Sequence, residues 1–194
     1  MSHMRIWEVS LFLRHALWLG LSEDAVIGPF VGAENNIVLS NPAQPVGGAV
    51  QRTVSLWLYQ VAPNEHLRNA PMERTADDGV ERYPPLSVNL YYLLTPSTGN
   101  DEGDQLVLGK ALQLFHDRAV MTMESTQVPG EGEELHLSLV QRTIEELAEV
   151  WEALQEPYRL SVCYEVRAVR IASQRVLRRR RVAERESELA GIVA

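Results

Sequence analysis

The sequence predicts an α+β domain: a mixed, largely antiparallel sheet with helices packed mainly on one face. Three observations carry this expectation. Strand-like alternation of apolar and polar residues recurs along the chain. The strands come in adjacent pairs rather than in strict strand–helix–strand order, and helical spacing is confined to a few separate segments. A chain of 194 residues with 45% hydrophobic residues can bury a core of its own, so one domain is expected over residues 5–175, with 176–194 as a charged tail. The opening Met1-Ser2-His3-Met4 reads as a cloning remnant.

The stretch from Arg5 to Leu21 superficially resembles a secretion signal, but Glu8, Arg14 and His15 interrupt the apolar run and no small-residue cleavage site follows. The same interruptions argue against membrane insertion. Ile6, Val9, Leu13, Ala16 and Leu17 instead stand at helical spacing, and Trp7, Phe12 and Trp18 widen the apolar surface. So broad a face predicts burial between neighbours. Ile37 to Ser40 is a short strand between loops punctuated by Gly and Pro. From Thr53 to Gln60, Val54, Leu56 and Leu58 alternate with Ser55, Trp57 and Tyr59, so one face enters the core and the aromatic face needs a cover.

The polar stretch Asn64 to Arg82, with Pro71 and Asp77-Asp78-Gly79, predicts a long surface loop. The clearest strand follows it, alternating from Leu86 to Thr95 and ended by Pro96. Asp104 is placed as the cap of a helix whose Leu108, Ala111, Leu112 and Phe115 share a face, with its end near His116-Asp117. A loop through Pro129-Gly130-Glu131-Gly132 leads to a strand at Leu135, Leu137 and Leu139. Thr143 and Glu146 form a capping box ahead of the stripe Ile144, Leu147, Val150, Trp151 and Leu154, which Pro157 stops. Val162, Tyr164, Val166 and Ala168 then alternate with Cys163, Glu165 and Arg167, so the last strand turns a charged side to solvent or to a partner.

Composition excludes several functions. A formal charge of −8 argues against specific nucleic-acid binding, since phosphate recognition draws on clustered cations. The one basic cluster, Arg178-Arg179-Arg180-Arg181, opens a mixed-charge tail that is either solvated or docked on an acidic partner. Cys163 is the single cysteine, so no internal disulfide forms and an origin in the cytoplasm fits.

Catalytic and cofactor motifs are not found. Gly103 to Ala111 fails as a phosphate loop on spacing and on its missing hydroxyl, leaving Gly109 as a close-packing residue of a helix. His15, His66, His116 and His136 have no metal-ligand spacing, and Glu145, Glu146, Glu149 and Glu152 read as a solvated helix face. No enzymatic activity, metal or cofactor is expected.

Four blocks carry a resemblance: Ser55 to Asn69, Pro84 to Pro96, Leu108 to Asp117, and Trp151 to Arg167. Together, in order between about Trp7 and Ile171, they resemble the DUF4255 family, the N-terminal domain of cap proteins in extracellular contractile injection systems such as Photorhabdus virulence cassettes and the antifeeding prophage. The resemblance implies a tail-terminator-like fold and a structural cap: a homohexameric ring on the distal end of tube and sheath that ends polymerisation and stabilises the extended sheath. It also implies tube and sheath proteins as partners, with cytoplasmic assembly before incorporation into the particle.

Each subunit of such a ring uses two different patches. The first helix, with Trp7, Phe12 and Trp18, and the Asn64 to Arg82 loop, with His66, Arg68, Arg74 and Arg82, are the expected contacts. The cluster Arg178, Arg179, Arg180 and Arg181 is a further one. Trp57 and Tyr59 are either anchors for a neighbour or cover for the domain's own sheet. The rival reading is a small-ligand or peptide-binding module with a pocket lined by Trp57, Tyr59 and Tyr91.

Overall fold

A computed structural model describes residues 2–44, 52–67, 71–74, 80–124 and 132–178. In chain order its elements are α1 (Arg5–Ser22), α2 (Gly28–Val31), β1 (Ile37–Val38), β2 (Thr53–Pro63), β3 (Glu73–Arg74), β4 (Val80–Arg82), β5 (Leu86–Ser97), α3 (Asp101–Asp117), β6 (Val120–Glu124), β7 (Gly132–Val140), α4 (Ile144–Ala153), β8 (Val162–Ile171) and β9 (Val176–Arg178). The main sheet has the order β1-β2-β5-β8-β7-β6; every pairing is antiparallel except that of β1 with β2. The mixed, largely antiparallel α+β sheet expected from the alternation is therefore present.

Period-two alternation gives this sheet two different faces. On one side Val54 and Leu56 from β2, Leu90, Tyr92 and Leu94 from β5, Tyr164 and Val166 from β8, and Leu135 and Leu137 from β7 form the main core with α1 and α3. Within it the Tyr164 ring meets Phe115 edge-on at 5.0 Å. Tyr92, fully buried, bonds Ser10 of α1 through its hydroxyl at 2.8 Å. The two long helices approach closely at Gly20, where a Cβ would meet the Leu114 side chain at 2.5 Å.

The opposite side is covered in part by α4, whose Leu147 and Trp151 bury Leu93 and Cys163 with Trp57, Tyr59 and Val140 beside them. The capping box read from Thr143 and Glu146 is formed in both directions. Trp151 is held further by its indole N–H, which donates to Ser161 at 3.2 Å.

Several details differ from the sequence expectations. The helix placed at Asp104 is capped by Asn100, which accepts from the Gly103 N–H at 2.6 Å; Asp104 sits inside the helix and accepts from the backbone and hydroxyl of Thr98. Asn100 is extended and Asp104 is not, which is the backbone difference between a cap and a first-turn residue. Gly109 is exposed with open space around it, whereas Gly20 of α1 and Gly103 of α3 are closely packed. The helix expected to run to Pro157 ends at Ala153, and Gln155 takes a positive φ of 58° that a continuing helix excludes. β6 is an unpredicted strand with Met121 and Met123 alternating into the core.

The expected loop from Asn64 to Arg82 contains β3 and β4, which pair with β9 in a second, three-stranded sheet of order β3-β4-β9. This sheet prolongs the β5–β8 ribbon, because Leu86 pairs with Ile171 and, beyond short connections, Arg82 pairs with Val176. The Arg175 guanidinium over the Tyr83 ring, 4.3 Å from its centre, bridges those connections. The turn expected at Asp77-Asp78-Gly79 and the tail beyond Arg178 lie outside the described residues.

Candidate assembly surfaces

The aromatic face of β2 owes its position to strand geometry: Trp57 and Tyr59 alternate with core residues and so emerge beneath α4. Their rings lie 6.1 Å apart, and Tyr59 continues to Tyr91 at 6.4 Å. Beside them is a groove of about 310 Å³ lined by residues including Tyr59, Arg142, Glu146, Leu147 and Cys163. The Tyr59 hydroxyl has no hydrogen-bond partner there, and burial with the neighbouring Cys163 thiol pushes its pKa up to about 12. Burial likewise pushes the Cys163 thiol up, which leaves it a poor nucleophile. Arg142, the one cation of this lining, is paired with Glu146 at 3.1 Å.

Beyond α4 the same face carries a polar network. Glu165 is 8% exposed and accepts from the Asn89 amide at 2.9 Å, the Tyr91 hydroxyl at 2.8 Å and Arg167 Nε at 2.7 Å. Burial opposes its ionisation, but these three donors outweigh burial and hold its pKa below the ordinary carboxylate value. The network secures a bulge in which Arg167 and Ala168 together face Asn89, with Ala168 at φ 59° and its N–H donated to Asn89 at 3.2 Å. The charged side expected on β8 is thus partly internal. These groups are saturated by one another, which is the chemistry of a fixed surface and not of proton transfer. Among the described residues no group of His, Cys, Asp and Glu is placed to hold a metal ion.

The chain matches the Pvc16 N-terminal domain family from residue 8 to residue 185, most of its length. It belongs to that family. Among solved structures, this Pvc16 N-terminal domain is similar to the PVC sheath/tube terminator of an extracellular contractile injection system in the extended state. They share 19% identity and a TM-score of 0.58, over 91% of this chain and 63% of that one. The anti-feeding prophage cap, described as the AFP tube terminating cap, aligns at 21% identity with a TM-score of 0.47, over 78% of this chain and 56% of that one. The chain therefore spans less than two thirds of either, and what is shared with the terminator is the fold. No curated protein matches the sequence.

On this Pvc16 N-terminal domain the residues expected at interfaces fall in three places. Trp7, 53% exposed, stands on α1 beside β2, at a cleft of about 340 Å³ lined by Ile6, Leu39, Leu56 and Leu58, whereas Phe12 and Trp18 pack against the main core. Trp57 and Tyr59 lie on the other side of the sheet under α4, so part of their surface covers the domain's own sheet. Arg74, Arg82 and Arg178 fall on the three strands of the small sheet, opposite Glu81, Val176 and Val80 in turn, a shared sheet invisible in sequence because it joins segments about a hundred residues apart. His66 is exposed in the turn after β2, where its N–H is held by Asn64 at 3.1 Å. Arg68, Arg179, Arg180 and Arg181 lie outside the described residues.

That the long edges of the main sheet lack full neighbours among the described residues was not anticipated. β1 covers only Val54 and Ser55 of β2, and β6 has no outer neighbour among the described residues. The signal available for the first was an eleven-residue strand with no charged side chain, TVSLWLYQVAP.

Proposed function

We propose that this chain is a structural cap, a tail terminator that forms a homohexameric ring on the distal end of the tube and sheath of a phage-tail-like contractile injection system. The ring ends polymerisation and stabilises the extended sheath. The observation that carries this reading is membership of the Pvc16 N-terminal domain family across residues 8–185, and the fold shared with a sheath/tube terminator supports it. Its surfaces suit assembly: the uncharged β2 strand and the largely apolar cleft beside α1 offer contact area, while Glu165, Asn89 and Tyr91 are engaged with one another. The role is non-enzymatic. Tube and sheath proteins are the partners, assembly takes place in the cytoplasm, and the cap then remains in the particle.

The rival ligand-binding reading is not favoured, because the groove beside the aromatic face takes in Tyr59 but neither Trp57 nor Tyr91, and α4 covers part of that face. The test is to add purified protein to cognate tube and sheath subunits during polymerisation. Decoration of one particle end by electron microscopy, together with a narrowed length distribution, is the expected outcome. Unchanged lengths and undecorated ends would reject the cap.

A further inference from the structure

Antiparallel strands alternate between pairs that exchange hydrogen bonds and pairs whose N–H and C=O groups point away from each other. The two prolines of the β2–β5 pairing fix this phase. Pro96, opposite Val54, and Pro63, opposite Val88, have no N–H to exchange, so both pairs are of the non-bonded kind. The Asn64 N–H, donated to the Ser87 carbonyl at 2.9 Å, agrees with that phase. Stepping by two from Val54 turns the backbone groups of Leu56 and Leu58 outward. Stepping back from Pro63, across from the bulge at Tyr59, turns those of Val61 outward. On β6 the Leu137 N–H is donated to the Ala119 carbonyl at 2.8 Å, which makes the adjacent Val120–His136 pair non-bonded and turns Val120, Thr122 and Glu124 outward.

Among the described residues each chain therefore carries two ladders of backbone donors and acceptors without a strand partner, one at either side of one sheet. Their directions agree: β2, β8 and β6 run one way and β5 and β7 the other, so the two free edges are parallel to each other. Their side chains agree as well. Leu56 and Leu58 of β2 and Met121 and Met123 of β6 all belong to the core on the α1 side of the sheet. A sheet continued from β6 of one copy to β2 of the next would thus keep apolar beside apolar, helices on one side throughout. β6 has five residues, which match the Leu56 to Val61 stretch once Tyr59, the extra residue of the bulge, is set aside.

We propose that β2 of one copy pairs in parallel with β6 of a second copy, joining subunits head to tail through a continuous sheet. This names the subunit contact of the ring and rests on that reading. An uncharged open edge is a site for pairing that soluble proteins ordinarily protect with charge, and occupation by a neighbour supplies the protection here. Because the two edges differ, the contact is heterologous and can close into a ring.

Val61→Pro and Thr122→Pro each delete one outward N–H while leaving the bonds to β5 and β7 in place; Val61→Thr and Thr122→Val alter the same side chains and keep the donor. Oligomer mass is read by light scattering, and particle-end decoration by electron microscopy. The expected result is loss of the closed oligomer in either proline variant, under conditions where the wild type and both donor-keeping variants assemble. A mixture of the two proline variants retains one intact edge of each kind and stops at dimers.

Hydrogen exchange of the wild type gives a second readout, with the amides of Leu56, Leu58, Val61, Val120 and Thr122 gaining protection on assembly. Proline variants that remain folded and form rings as readily as the wild type would overturn the edge contact and leave the cap reading standing. A wild type that forms no ring either alone or on tube ends overturns both.

Discussion

Two buried polar contacts set the residue-scale energetics. The Tyr92 hydroxyl lies in the main core with Ser10 as its partner, and Ser10 in turn donates to the Ile6 carbonyl. Ser10→Ala strands that hydroxyl and should cost about 1–3 kcal/mol, whereas adding Tyr92→Phe removes the orphan and should recover part of the loss. Urea denaturation of the single and double variants checks this; a double variant less stable than Ser10→Ala would contradict it.

Glu165 provides the second case. Its folded pKa is depressed, so its stabilising contribution is complete above the unfolded value, about 4.5, and is lost as pH falls through the lower folded value. Stability measured between pH 6 and pH 3 should therefore drop below about pH 4.5, and Glu165→Leu should flatten that drop while costing about 2 kcal/mol at neutral pH through the stranded donors of Asn89 and Tyr91. His15 and Arg14, by contrast, interrupt α1 without disturbing its buried face, since Val9, Leu13 and Leu17 remain fully buried.

At the scale of elements, α4 is ten residues long and too short to be stable alone, so its cap and its two buried anchors decide whether it stays on the sheet. Thr143→Ala removes the capping box at a cost of about 1 kcal/mol. The consequence to measure is at Cys163, which α4 buries: its reaction with a thiol reagent should be slow in the wild type and several-fold faster in Thr143→Ala. Equal rates would mean that α4 is not what shields the thiol. The α1–α3 crossing depends on Gly20 instead. Gly20→Val drives a branched side chain into Leu114 and should cost about 1–3 kcal/mol, visible as a lower Tm with the helical circular dichroism retained.

For the whole molecule, the two sheets share a ribbon: the small sheet is joined to β5 and β8 through residues 83–85 and 172–175. Truncation after Arg175 removes β9 and leaves β4 without that partner. Amide protection should then fall at 80–82 and persist in Leu90 to Leu94; loss of protection throughout would show that the small sheet supports the large one. The acidic net charge of −8 keeps such a molecule soluble while its uncharged β2 edge remains available to a partner.

The α+β class, the two faces of β2 and the capping box of α4 were legible in the sequence alone, because periodicity and capping are local properties readable over a turn or a strand. The sequence's four blocks also carried the family. Tertiary packing settled that Asn100 rather than Asp104 caps α3, that Glu165 is internal, and that the strands carrying Arg74, Arg82 and Arg178 pair in a second sheet. It also settled that α4 partly covers Trp57 and Tyr59, and that most of β2 and the outer side of β6 have no strand neighbour among the described residues. Strand neighbours are chosen by non-local pairing, and which backbone groups are left outward follows from register, so neither is written in any one segment.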